Sequence, residues 1–85
     1  MRYLVIFTNE PEEEAEAKVH FTDPFWTIRM TAQNAKDARH KAWKTVNQDR
    51  RLRFIKKNGW RICHVGHPED IKAAGPWRAP GISIT

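Results

Sequence analysis

The sequence predicts one small α+β domain: an antiparallel sheet of about four strands packed on one amphipathic helix, in the order β-β-α-β-β, with a short C-terminal helix and a tail. Three observations predict it. An unbroken apolar run opens the chain, a 14-residue segment repeats its apolar residues with helical spacing, and an Asn-Gly pair separates two strand-like runs near the C-terminus.

Residues 2–8 (RYLVIFT) join β-branched and aromatic side chains and end at Asn9 and Pro11, as in a strand covered on both faces and central in a sheet. The next stretch, NEPEEEAEA, has self-repelling Glu side chains and no apolar period, and is expected to be a mobile loop. Val19 and Phe21 alternate with polar neighbours before a bend at Asp23-Pro24. Trp26, Ile28, Met30 and Ala32 then alternate with Thr27, Arg29 and Thr31, which is the period of a half-buried strand. Residues 18–22 are either a separate strand or the first half of a bent one.

Asn34 offers an N-cap oxygen, and Asp37 falls in the first turn that follows, so a helix is expected over residues 35–48. Ala35, Ala38, Ala42, Trp43 and Val46 share one side; Lys36, His40, Lys41 and Lys44 form the other. Arg51 to Lys57 and Trp60 to Gly66 are then expected to pair through a type I′ turn at Asn58-Gly59. A two-residue loop places Ile55 opposite Ile62, Phe54 opposite Cys63, Arg53 opposite His64 and Leu52 opposite Val65. One face of this hairpin, Leu52, Phe54, Cys63 and Val65, belongs in the core. The other mixes cations with apolar groups: Arg53, Ile55, Lys57, Trp60, Ile62 and His64. Beyond it, His67-Pro68-Glu69-Asp70 opens a short helix that stops at Gly75. The domain is thus expected over residues 1–75, with residues 76–85 an extended or flexible tail in which Ile82 to Thr85 either add an edge strand or fray. Trp77 in that tail is expected to dock on the body of the domain.

An 85-residue chain hides only roughly 60–65% of its unfolded surface, which leaves room for one core. Hydrophobic residues at 40% and aromatics at 11% suffice to build it. The lone cysteine, Cys63, excludes an internal disulfide, and no charged n-region with an apolar h-region opens the chain. Both point to a reducing, cytoplasmic setting. The longest apolar run is far below the ~20 residues that span a bilayer, so no membrane partner is expected.

The net charge of +5 conceals an asymmetry. Residues 9–24 hold six acids (Glu10, Glu12, Glu13, Glu14, Glu16, Asp23) against Lys18, a balance of −5. Residues 29–61 hold eleven Lys and Arg against Asp37 and Asp49, a balance of +9. Such a field favours polyanionic partners, the alternative being plain solubility.

Catalytic, cofactor and metal chemistry find no support in the pattern. Cys63, His64, His67 and His20 suggest a zinc set, but neighbouring strand residues point to opposite faces, so Cys63 and His64 cannot share a metal on a regular strand. The same geometry leaves Cys63 without a base as a nucleophile. There is no glycine-rich phosphate loop, and Asp23, Asp37, Asp49 and Asp70 sit where capping explains them. The constellation that remains is the basic helix face with the hairpin. Cations that neutralise phosphate alternate there with aromatics able to stack on bases. Lys36, His40, Lys44, Arg53, Lys57, Trp60 and Arg61 are the candidate partner-binding or nucleic-acid-binding residues. The alternative for Trp60 is that it closes the end of the sheet, with solvated lysines around it.

In its order of strand, acidic loop, strand, a helix opening with Gln33-Asn34-Ala35-Lys36-Asp37-Ala38, and Asn-Gly hairpin, the chain over residues 3–66 resembles small phage-encoded proteins, among them anti-CRISPR inhibitors of Cascade-like surveillance complexes. The resemblance is architectural and carries no site residue. It implies a non-enzymatic inhibitor or regulator that engages a host protein or nucleoprotein complex, in the host cytoplasm if phage-encoded, with DNA or RNA reached through phosphate contacts. DNA mimicry is disfavoured, because inhibitors of that kind are acidic. Leu52-Arg53-Phe54 through His64-Val65-Gly66-His67 also looks like the terminal strands of RelE-type ribosome-dependent endoribonuclease toxins, which have a longer helical hairpin after their first strand. A free-standing DNA- or RNA-binding regulator is the third expectation.

Overall fold

Leu4, Val5, Ile6 and Phe7 have no solvent exposure, and a strand hidden on both faces needs a partner on each edge to satisfy its backbone. In a computed structural model, which describes residues 1–9, 25–69 and 80–84, β1 (Arg2–Thr8) has both partners. It lies between β2 (Phe25–Thr31) and β3 (Arg61–Gly66), antiparallel to each. A short β4 (Gly81–Ser83) runs parallel to β2, so the four-stranded sheet has the order β3-β1-β2-β4.

The predicted α+β class, the central first strand and the second strand are all present. The sheet, however, is mixed rather than wholly antiparallel, and its fourth strand comes from the segment read as a tail. The loop and possible strand expected over residues 9–24 lie almost entirely outside the described residues, as do most of the short helix begun at His67 and the Trp77 segment.

The α1 helix (Ala35–Gln48) packs on one face of the sheet through Ala38, Ala42 and Val46, against Tyr3, Val5, Phe7, Ile28 and Met30. Alanines at the contact let the helix approach closely. Its start is fixed as expected: the Asn34 side-chain oxygen accepts from the Asp37 amide at 2.8 Å. Asp37 in turn accepts from the amide of Gln33, the residue before the cap, at 3.0 Å. Lys41, placed by periodicity on the outer face, instead sits at the flank, where it donates to the Thr31 carbonyl at 3.0 Å and pairs with Asp37 at 3.4 Å.

The predicted hairpin does not form. Arg50–Leu52 is a 3-10 turn that runs directly into α2 (Arg53–Lys57), and only the second arm is a strand. The reason lies in the two uses of Asn-Gly. Asn58 has φ −97°, whereas a type I′ turn demands a positive angle at both positions, and only Gly59 has one, at +72°. The Trp60 amide donates to the Ile55 carbonyl at 2.8 Å and the Gly59 amide to the Lys56 carbonyl at 3.3 Å. These are the two bonds of a Schellman stop, so the pair ends a helix rather than turning a hairpin. Leu52 and Ile55, three apart, face the core together at 1% and 0% exposure, whereas the hairpin reading sends Ile55 to the opposite face.

Freed from a hairpin, β3 pairs with β1 instead, Val65 opposite Val5 and Ile62 opposite Phe7. The register shifts between Ile6 and Phe7, leaving Cys63 as the extra residue of a β-bulge. The bulge lets Ile62 and Val65 face the helices together, and both pack against the core.

The three-residue β4 is seated by close approach. A Cβ on Gly81 would overlap the carbonyl and hydroxyl oxygens of Thr27. The Thr27 amide donates to the Pro80 carbonyl at 2.9 Å, and the Ile84 amide to the Arg29 carbonyl at 2.7 Å.

Replacing Gly59 with alanine is expected to destabilise the fold by about 1 kcal/mol through the left-handed angle alone, since no atom lies within 4 Å of the added methyl. A urea melt reads this directly. Gly81→Ala acts differently, by pushing β4 off β2. Hydrogen exchange is expected to show loss of protection at Ile84 while Val5 stays protected.

Candidate nucleic-acid interface

The seven candidate residues divide by element. Lys36, His40 and Lys44 are all exposed and fall four apart on α1, which places them in one outward stripe. Arg53 and Lys57 are exposed on α2. Between the helices lies a groove of about 400 Å³ lined by Val46, Asn47, Arg53, Lys56 and Lys57. Lys44 is three residues before Asn47 on the same helix, so the stripe leads toward the groove, with Lys36 the farthest along it.

Lys56 is the groove residue that the sequence reading omits. Read as a helix, RRLRFIKK puts Arg53, Lys56 and Lys57 at i, i+3 and i+4 on one face, with Leu52 and Ile55 on the other. That period is the signal that could have found it. Among the described residues, Arg53, Lys56 and Lys57 have no carboxylate partner. Arg51 differs: its guanidinium makes a two-point contact with Asp49 at 2.8 and 3.1 Å. The Arg51 side-chain and backbone hydrogen bonds hold the Asp49 carboxyl below the usual carboxylate range. Asp37 is lowered as well, first by the Gln33 amide and then by Lys41. Both acids are therefore occupied with helix ends, and among the described residues the charged groups that line the groove are cations.

Two candidates lie elsewhere. Arg61 pairs with Thr8 in the register, which directs it to the sheet face away from α1 and α2. Trp60 is half-buried and joins a chain of edge-on aromatic contacts. Its ring meets Phe54 at 5.4 Å, and Phe54 meets Trp26 at 5.5 Å, each at 87°. Trp43 meets Phe7 at 5.1 Å in the same manner. Trp60 thus closes the end of the sheet and supplies the apolar contact that accompanies a Schellman stop, and its indole is not an open platform for a base.

Among the described residues no three of His, Cys, Asp and Glu come together in a way that could hold a metal ion. His64, opposite Ile6, and Cys63 sit at the bulge, while His67 is turned to β1, where its Nδ1–H donates to the Arg2 carbonyl at 2.8 Å. No described helix is long and apolar enough to cross a membrane.

Burial pushes the His64 imidazole below its usual value of 6.5. Between that depressed value and 6.5 the unfolded chain binds more protons than the native one, so stability rises with pH across this window and falls on acidification through it. Urea melts from pH 7.5 to pH 5 are expected to show this loss in the wild type, and His64→Gln is expected to reduce the slope.

Comparison of the chain with protein-family models, with curated proteins and with solved structures found no match.

Proposed function

We propose that the protein is a non-enzymatic binder of phosphate polyanions, acting on a host nucleoprotein complex in the manner of a phage-type inhibitor, in the cytoplasm of the host cell. The observation that carries the reading is the set Arg53, Lys56 and Lys57, three cations on one face of a short helix, rimming a groove and without acidic partners among the described residues. Lys44, His40 and Lys36 extend the positive surface along α1. Cations spaced along adjoining helical faces neutralise successive phosphates and release their counterions, a mode that needs no base-specific contact. Among the described residues, the acids on these elements, Asp37 and Asp49, are tied to helix ends.

Binding of this type is electrostatic and sequence-independent, so it fits a partner whose phosphates are presented by an assembled protein–nucleic acid particle as well as free duplex. The two are separated by nuclease. A tagged chain is expected to co-purify with a nucleoprotein complex from its native host, and nuclease treatment reports how much of the capture runs through nucleic acid.

Fluorescence anisotropy on labelled duplex across a salt series tests the surface itself. The slope of log K against log salt is expected to become shallower by about 1 for each cation removed in Arg53→Gln, Lys56→Gln and Lys57→Gln. A wild type that ignores salt, or a triple variant that binds as tightly as wild type, overturns the reading.

A further inference from the structure

We propose that Asn58 is a site of spontaneous deamidation, and that the acid formed there weakens the groove of Arg53, Lys56 and Lys57. Asn58 and Gly59 follow the last residue of α2, and both are exposed. The Asn58 side chain has no hydrogen-bond partner among the described residues, so its amide carbon is free to swing onto the main chain.

The residue after an asparagine governs attack on its side-chain amide, because any side chain there crowds the approach to the backbone nitrogen. Of the four asparagines only Asn58 precedes glycine; Asn9, Asn34 and Asn47 precede Glu10, Ala35 and Gln48. No atom lies within 4 Å of the place where a Gly59 side chain would start, so the nitrogen is open from that side. Asn34 is held besides, its side-chain oxygen accepting from the Asp37 amide.

The reaction needs only water. The Gly59 amide nitrogen loses its proton to solvent and bonds to Asn58 Cγ, closing a succinimide ring. The Cγ–Nδ2 bond breaks, and that nitrogen takes up a proton and leaves as ammonia. Water then opens the ring at either carbonyl to leave aspartate or isoaspartate, so the sum is the hydrolysis of one amide.

The Gly59 amide is loosely held, since it donates to the Lys56 carbonyl at 3.3 Å, beyond the ordinary range for such a bond. Ring closure also needs Asn58 to leave its ψ of 11°, which happens when the last turn of α2 opens. A helix of five residues has little stability of its own, whereas the 2.8 Å bond from the Trp60 amide to the Ile55 carbonyl opposes opening. Deamidation is therefore slower in the folded chain than in a peptide of the same sequence.

The product alters the groove. A new carboxylate comes directly after Lys56 and Lys57, whose side chains line it. Isoaspartate also lengthens the main chain by one carbon, at the stop that fixes Trp60 against Phe54. The effect on the groove rests on the polyanion reading; the modification itself does not.

Peptide mapping of the full chain by mass spectrometry, during incubation at pH 8 and at pH 5.5, tests the modification. The mass gain of an amide-to-acid exchange is expected at Asn58, faster at pH 8, with isoaspartate revealed by enzymatic methyl labelling. Asn58→Gln is expected to abolish it. No gain at Asn58, or a gain as fast at Asn9, Asn34 or Asn47, overturns the site. Fluorescence anisotropy on labelled duplex tests the consequence: Asn58→Asp is expected to weaken binding by about fivefold at low salt, and by less as salt rises. Undiminished binding by an Asn58→Asp chain whose melting curve matches the wild type overturns that consequence. A wild type that binds no duplex overturns the polyanion reading instead, and leaves the mass gain at Asn58 standing.

Discussion

Leu4, Val5, Ile6 and Phe7 are fully withdrawn from water, and their side chains alternate between two sheet faces, so neither face of β1 can be left open. Burying four such side chains contributes about 1.5–3 kcal/mol each, and the strand that carries them must sit inside the sheet rather than at its margin. The positions of the other elements follow. β2 and β3 satisfy the two edges of β1, α1 covers the Tyr3, Val5 and Phe7 side, and α2 closes the end at which Phe7, Trp26 and Trp60 gather. On the opposite side Leu4, Ile6, Thr8, Phe25 and Thr27 are equally hidden, although the described helices all pack on the first face.

The elements that could be read in the sequence are those with a single period. RYLVIFT admits no helical spacing of polar residues, FWTIRMT alternates cleanly, and the α1 segment carries both a cap and an apolar stripe. Residues 50–57 were ambiguous for a physical reason. Leu52 and Phe54 fit a strand, Leu52 and Ile55 fit a helix, and Asn-Gly serves either a tight hairpin or a helix stop. The core decided: Ile55 fills a fully buried position, and β1 offers β3 a better partner than a second arm of the hairpin could.

That same choice rearranged the candidate site. Cations expected on the two strands of a hairpin divide: Arg53 and Lys57 join Lys56 on a helix beside α1, whereas Arg61 follows β3 to the far face. Lys36, His40 and Lys44 were legible because their helix was. The cleft of about 440 Å³ at the end of the sheet where β1 starts was not, since Arg2, Arg29, Ser83 and Glu69 on its lining are brought together only by sheet order and by a parallel pairing that no local pattern encodes. Composition shows an excess of positive charge; the pleat and the register decide where it is displayed.

The parallel pairing of β4 with β2 joins residues 54 positions apart in the chain. Because synthesis runs from the N-terminus, β1, β2 and α1 can collapse together before the strand that completes the sheet has been made. Until β4 arrives, the outer margin of β2 remains an unpaired ladder, the state in which a strand is most open to pairing with another chain. A glycine at its docking point shortens that interval, because the last strand can settle onto Thr27 without any side chain having to be moved aside.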